Sequence, residues 1–126
     1  MPKEKLWLAA AAGWSLIVAV LCLVQLTNMP DVGVSSPDKY VHSAFHFFFT
    51  IFWFLYFDAK STRSKTLNLL LVFVFSVLFG TIIELAQMYF TVSRTAEIDD
   101  ILANTLGSVL GVGVLVIYSG FRKNRN

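Results

Sequence analysis

The sequence predicts an all-α integral membrane protein, a bundle of four transmembrane helices. Three observations predict it. Hydrophobic residues make up 56% of the 126 and charged residues only 14%, too little polar surface to coat a soluble globule of this size. The apolar residues fall in four stretches, Leu6 to Leu26, Tyr40 to Phe57, Leu67 to Phe90 and Ile101 to Phe121, each 18 to 24 residues long. At about 1.5 Å per helical residue, such lengths match a hydrocarbon core of roughly 30 Å. Lys and Arg are sorted by side: Lys3, Lys5, Lys60, Arg63, Lys65, Arg122, Lys123 and Arg125 fall on one side, Lys39 and Arg94 on the other. Eight against two in short loops is the positive-inside pattern, which predicts both termini in the cytoplasm.

Each element follows from its own residues. The first stretch has Lys3 and Lys5 before it, as a signal peptide would. Its apolar run is too long for an h-region, no small-x-small site follows Leu26, and Leu21 before Cys22 is wrong for a lipoprotein box. It reads as a retained helix. Cys22, the only cysteine, rules out an intramolecular disulfide and reads as a buried or lipid-facing apolar residue. Residues 27–39 carry the turn and helix-start signals Asn-Met-Pro-Asp and Ser-Ser-Pro-Asp, with Asp38 placed to cap the second helix. That helix is nearly continuous aromatic and aliphatic from Phe45 to Phe57, without the alternation of a barrel strand. Residues 58–66 form a short polar hairpin, and residues 91–100 a second one on the other side. Asp99 and Asp100 stand where the fourth helix should begin.

Polar residues inside the apolar stretches carry the chemistry. A carboxylate at the depth of Glu84 costs on the order of 3 kcal/mol on an insertion scale, so it should face the bundle and have a partner. Ser76, Gly80, Glu84 and Gln87 form one stripe on the third helix. Asp38, His42, His46 and Thr50 form another on the second. Glu97, Asp100, Asn104, Ser108 and Gly111, with Gly107 beside them, form a third on the fourth. The stripes predict one polar cluster near the extracytoplasmic face: Asp38, Lys39, His42, Glu84, Gln87, Arg94, Asp100 and Asn104. Arg94, whose guanidinium can bridge two carboxylates, is expected to pair with Glu84 or Asp100, and Lys39 to neutralise Asp38.

Plainer roles compete with these. Gly80, Gly107, Ser108 and Gly111 suit close helix packing, Asp99 suits a helix cap, and His46 among phenylalanines suits a hydrogen-bonded interior histidine. No cofactor and no metal is expected. His42 and His46, with Glu84 or Asp100 completing the shell, come nearest to a metal set, but the Glu of an H-E-x-x-H motif is missing, since Ser43 follows His42. A net charge of +2, with bases at termini and one loop, gives no nucleic-acid surface. No Gly-rich phosphate loop, serine elbow or Cys-x-x-Cys occurs.

Asp38-Lys39-Tyr40-Val41-His42 opening one helix, Glu84-Leu85-Ala86-Gln87 closing the next, then Arg94 and the run from Asp99 to Gly107 resemble the VanZ-like family. That family takes its name from a bacterial protein linked to resistance to the glycopeptide antibiotic teicoplanin. The resemblance spans Asp38 to about Gly111 and covers Asp38, Lys39, His42, Glu84, Gln87, Arg94, Asp100, Asn104 and Gly107. Glu97 stands where the pattern more often has Asp. The whole chain reads as a single domain, and the resemblance implies a multi-pass protein of the bacterial cytoplasmic membrane while leaving reaction chemistry open.

Three functions follow as expectations. The first is binding or affecting an envelope component, a lipid-linked cell-wall precursor or the glycopeptide's lipid tail, with Lys39 and Arg94 meeting an anionic head group. The second is an intramembrane enzyme with Glu84 or His42 as general base. The third is a scaffold whose partner is another membrane protein or a second copy. The bilayer is a partner in all three.

Overall fold

The structure, a computed structural model, describes residues 2–24, 37–90 and 98–125. These residues form four helices: α1 Lys3–Val24, α2 Pro37–Lys60, α3 Lys65–Phe90 and α4 Ile98–Arg125. Each contains a span of 21 to 25 residues long and apolar enough to cross a membrane. The chain is therefore all-α with four membrane-spanning helices. Several helix ends run past the apolar stretches, most clearly at Lys3, Lys60 and Ile98. Hydropathy marks the thickness of hydrocarbon, whereas the backbone keeps its i→i−4 bonds through good helix formers such as Lys, Glu and Ala until a turn residue interrupts it. At the hairpin between α2 and α3, Ser64 is that residue. Its Oγ accepts from the Leu67 amide at 3.1 Å and its carbonyl from the Asn68 amide at 3.0 Å, the pattern of an N-cap. Lys65 closes the same hairpin on Asp58 at 3.4 Å.

The pairing register sets the topology. Lys39 meets Asp100, His42 meets Asn104, Ser43 meets Ala103, and Phe47 lies beside Gly111, so α2 and α4 run in the same direction. Glu84 groups with His42 and Asp100, while Ser76 meets His46 and Ser108, so α3 runs opposite to both. Around the bundle the order is α1, α2, α4, α3, with α2 also touching α3 across the middle. The α2–α4 pair is the tightest because α4 offers no side chain there. A Cβ on Gly107 would meet the Ser43 backbone, and one on Gly111 would lie 3.1 Å from the Phe47 carbonyl oxygen. Small residues four apart let membrane helices approach to backbone contact.

Apolar packing holds the two ends. Val18, Cys22 and Ile83 form one cluster, flanked by Trp14, Phe45 and Phe79. Phe54, Val72 and Leu115 form the other. Between them Phe49 stacks on Phe79 with ring centres 4.6 Å apart. α1 is tied to α2 by its polar groups: Trp14 Nε1 donates to the Phe45 carbonyl at 2.9 Å, and Trp53 Nε1 donates to Ser15 Oγ at 3.0 Å. Leu16, Ile17, Val20, Leu70, Leu78, Ile82, Val109 and Ile117 point outward and are exposed. A continuous apolar exterior of this kind is stable against lipid and not against water.

Candidate functional site

At the end of the bundle where α2 and α4 begin, each of three helices contributes one turn of its polar stripe. Lys39 and His42 come from the first turns of α2, Asp100 and Asn104 from the first turns of α4, and Glu84 from the last two turns of α3. The depth match is a consequence of register. His42 lies five residues after the start of α2 and Glu84 six before the end of α3, which puts both roughly 8 Å below their helix ends.

His42, Glu84 and Asp100 each offer a ligand-type atom, and these three atoms lie within 4.8 Å of one another. Their exposures are 1%, 1% and 3%, so the trio is closed off from the exterior. Asp100 is paired with Lys39, whose Nζ stands 3.5 Å from Oδ1. Lys39 therefore reaches across to α4; the Asp38 side chain, which it is expected to neutralise, lies outside the described residues. His42 Nδ1 lies 3.0 Å from Asn104 Oδ1. A carboxamide oxygen only accepts, so Nδ1 carries the proton and the imidazole lone pair is on Nε2.

One turn deeper a second network begins. Ser108 Oγ donates to the Asn104 carbonyl at 3.1 Å and pairs with Ser76 Oγ, and Ser76 Oγ lies 2.9 Å from His46 Nδ1. With the Ser108 proton committed to the carbonyl, Ser76 donates to Ser108, and His46 must donate Nδ1–H to Ser76. His46 is thus a hydrogen-bonded interior histidine at a separate level and does not join His42 in the trio. Gly80 faces this junction, since a Cβ there would lie 2.8 Å from both His46 Cε1 and Asn104 Nδ2. Gln87 is buried but turns toward α1, donating Nε2–H to the Cys22 carbonyl at 2.7 Å. Cys22 itself is buried. Arg94, Glu97 and the side chain of Asp38 lie outside the described residues.

Beside the trio a groove of about 400 Å³ opens between α2 and α4, lined by Lys39, Tyr40, Ser43, Asp99, Leu102, Ala103 and Leu106. Lys39 belongs to both features. Asp99 is exposed and lines the groove, while its neighbour Asp100 is buried. Two residues here escaped the sequence reading. Ser43 Oγ donates to the Ala103 carbonyl at 2.8 Å, riveting the floor of the groove. Asn68, fully buried, takes Arg63 Nε–H on Oδ1 at 3.1 Å at the opposite end of the bundle. Asn68 continues the Glu84, Gly80, Ser76 stripe at the same four-residue spacing, a signal that was present in the sequence. Ser43 follows Lys39 and precedes Phe47 by the same spacing, one residue round from the histidine stripe.

Fold and site together define a multi-pass helical membrane protein with a buried polar site at one end of its bundle. A family model described as VanZ/LLP1 matches residues 15–119, a range that includes every site residue named above. The chain belongs to the VanZ/LLP1 family. Comparisons with curated proteins and with solved structures give no match.

Proposed function

We propose that the protein is a multi-pass protein of a bacterial cytoplasmic membrane, with both termini in the cytoplasm, that binds the anionic head group of an envelope lipid in the α2–α4 groove. The groove carries this reading. It places an ammonium, Lys39, at the rim and an apolar track, Leu102 and Leu106, one turn apart along α4 beneath it. A volume of about 400 Å³ lies within the range of roughly 300 to 1,000 Å³ typical of small-molecule sites. An amphipathic ligand with a negative head and a single apolar chain matches that order of groups. Lys39 meets the head group as a point charge. Arg94, six residues before Asp100 in sequence, supplies a second cation on the same side. The eight-to-two partition of Lys and Arg supports the orientation.

The closed trio behind the groove supports a second reading, an intramembrane enzyme. His42, with its proton fixed on Nδ1 by Asn104, has the tautomer of a general base, and Glu84 and Asp100 lie within reach of it.

A short-chain prenyl phosphate, the head-group class of lipid-linked wall precursors, tests the binding reading. Titrated into the full chain in nanodiscs and followed by native mass spectrometry, it should bind saturably with one molecule per chain, and Lys39→Ala should weaken binding at least tenfold. Unsaturable binding, or binding indifferent to Lys39→Ala, refutes the reading. Teicoplanin titrated in its place addresses the glycopeptide alternative, and slow turnover of the phosphate that is abolished by His42→Gln would establish the enzyme.

A further inference from the structure

We infer that His42, Glu84 and Asp100 form a binding site for one divalent transition-metal ion of the zinc class. The inference goes beyond the head-group reading and stands whether or not the groove takes a lipid.

Three ligand-type atoms from three different helices lie within 4.8 Å of one another. Ions of this class sit about 2.0 to 2.2 Å from imidazole nitrogen and carboxylate oxygen, which brings ligand atoms to roughly 3 to 3.5 Å from each other. Small rotations of two carboxylates close the remaining distance without moving a helix. The donor set is one imidazole and two carboxylates, a borderline N/O combination that suits zinc, iron, cobalt or manganese. Three protein ligands also leave a coordination position for water or an anionic oxygen.

The surroundings favour the same assignment. Histidine ligands characteristically donate their other ring N–H to an oxygen acceptor, which fixes the tautomer and the ring orientation. Asn104 Oδ1 does this to His42 Nδ1 at 3.0 Å, leaving Nε2 as the donor to a metal. Gly80 keeps open the space beside Asn104, where a Cβ would press on its Nδ2 at 2.8 Å. Charge adds a separate argument. Asp100, 3% exposed, accepts no hydrogen bond at Oδ1 among the described residues, and its ammonium neighbour stands off at 3.5 Å. An ammonium at that distance leaves room for a divalent cation at the Asp100 carboxylate. His46 is not part of the site, because it lies one turn deeper, against Ser76 and outside the group of three.

The chain contains two histidines and one cysteine, so adventitious ligands are few and an untagged preparation gives a clean test. The full chain, purified in detergent and stripped with EDTA, is titrated with Zn²⁺ and separately with Co²⁺. One equivalent of Zn²⁺ should bind and raise the thermal midpoint, and Co²⁺ should develop the visible bands of a four- or five-coordinate centre. His42→Gln and Glu84→Gln should abolish stoichiometric binding, Asp99→Asn should leave it intact, and Asn104→Ala, which keeps all three ligands, should weaken it about 10- to 100-fold. The wild-type measurements decide the matter even if a ligand variant fails to fold. Substoichiometric Zn²⁺ with no thermal shift and no Co²⁺ bands overturns the site, as does full binding in both His42→Gln and Glu84→Gln. Prenyl phosphate binding by the EDTA-stripped chain reports separately on the groove.

Discussion

Replacing Gly107 by Ala adds one methyl group at the closest approach of α2 and α4. The new Cβ would meet the oxygen, carbon and Cα of Ser43. These are backbone atoms within a helix, so no rotamer change relieves the clash and the helices must separate. Overpacking of a tight interior typically costs about 1 to 3 kcal/mol, and an immovable neighbour puts this site near 3. Separation also loosens the Ser43–Ala103 and His42–Asn104 hydrogen bonds, each worth about 0.6 kcal/mol between membrane helices. Against this, Ala gains about 1 kcal/mol of helix propensity over Gly. The net expectation is a loss of about 3 kcal/mol. Gly113, on the same helix and with nothing within 4 Å of its Cβ position, is the matched control. There the change to Ala should be neutral or stabilising by up to about 1 kcal/mol. Equilibrium unfolding of both variants in mixed micelles by SDS titration measures the gap, which should exceed a hundredfold in the folded-to-unfolded ratio at about 1.4 kcal/mol per tenfold. A Gly107→Ala variant within 1 kcal/mol of Gly113→Ala would refute the argument that backbone contact at Gly107 sets the α2–α4 distance.

Further expectations follow from the site and the charge pattern. Reporter fusions after Asp58 and after Ser93 should read cytoplasmic and extracytoplasmic respectively, and a same-side result removes the four-span orientation. Cysteines introduced at positions 42 and 84 in a chain with Cys22 replaced should crosslink with short reagents, given that His42 and Glu84 offer atoms within 4.8 Å; failure with every short linker contradicts the cluster. Since Lys39 serves Asp100, Glu84 is the carboxylate to test against Arg94. Arg94→Ala and Glu84→Ala should each cost about 3 to 5 kcal/mol, as for a buried pair losing one member, and the double variant less than their sum. Strict additivity in detergent unfolding would tell against that pair.

The sequence made much of the site legible because burying polar groups in hydrocarbon is costly and the helical period is regular. Glu84, His42 and Asn104 stand out among apolar neighbours, and their four-residue spacing assigns them to inward faces before any contact is known. The glycines of α4 were legible for a related reason: in a membrane, small residues in register gain from close approach. Partner choice was less legible. Lys39 adjoins Asp38 in sequence, and nothing there says that it also meets Asp100 on another helix. His42 and His46 share a stripe at metal-ligand spacing, yet one faces Glu84 and Asp100 while the other bonds Ser76. Gln87 lies three residues beyond Glu84 and turns to the backbone of α1.

By itself, then, the sequence determined that this chain crosses a bilayer with four helices, which face of each helix is turned inward, and at which end the ionisable residues gather. Those properties follow from transfer free energy and the 3.6-residue period, both of which are local. Only the tertiary structure decided that α2 and α4 are the closest neighbours, that Gln87 turns to a carbonyl of α1, and that a His, a Glu and an Asp from three helices converge beneath a groove. Convergence depends on the rotation and axial offset of each helix against its neighbours. Those are fixed by where backbones can touch, at Gly107 on Ser43 and Gly111 on Phe47, and pattern within one helix does not specify the register between two.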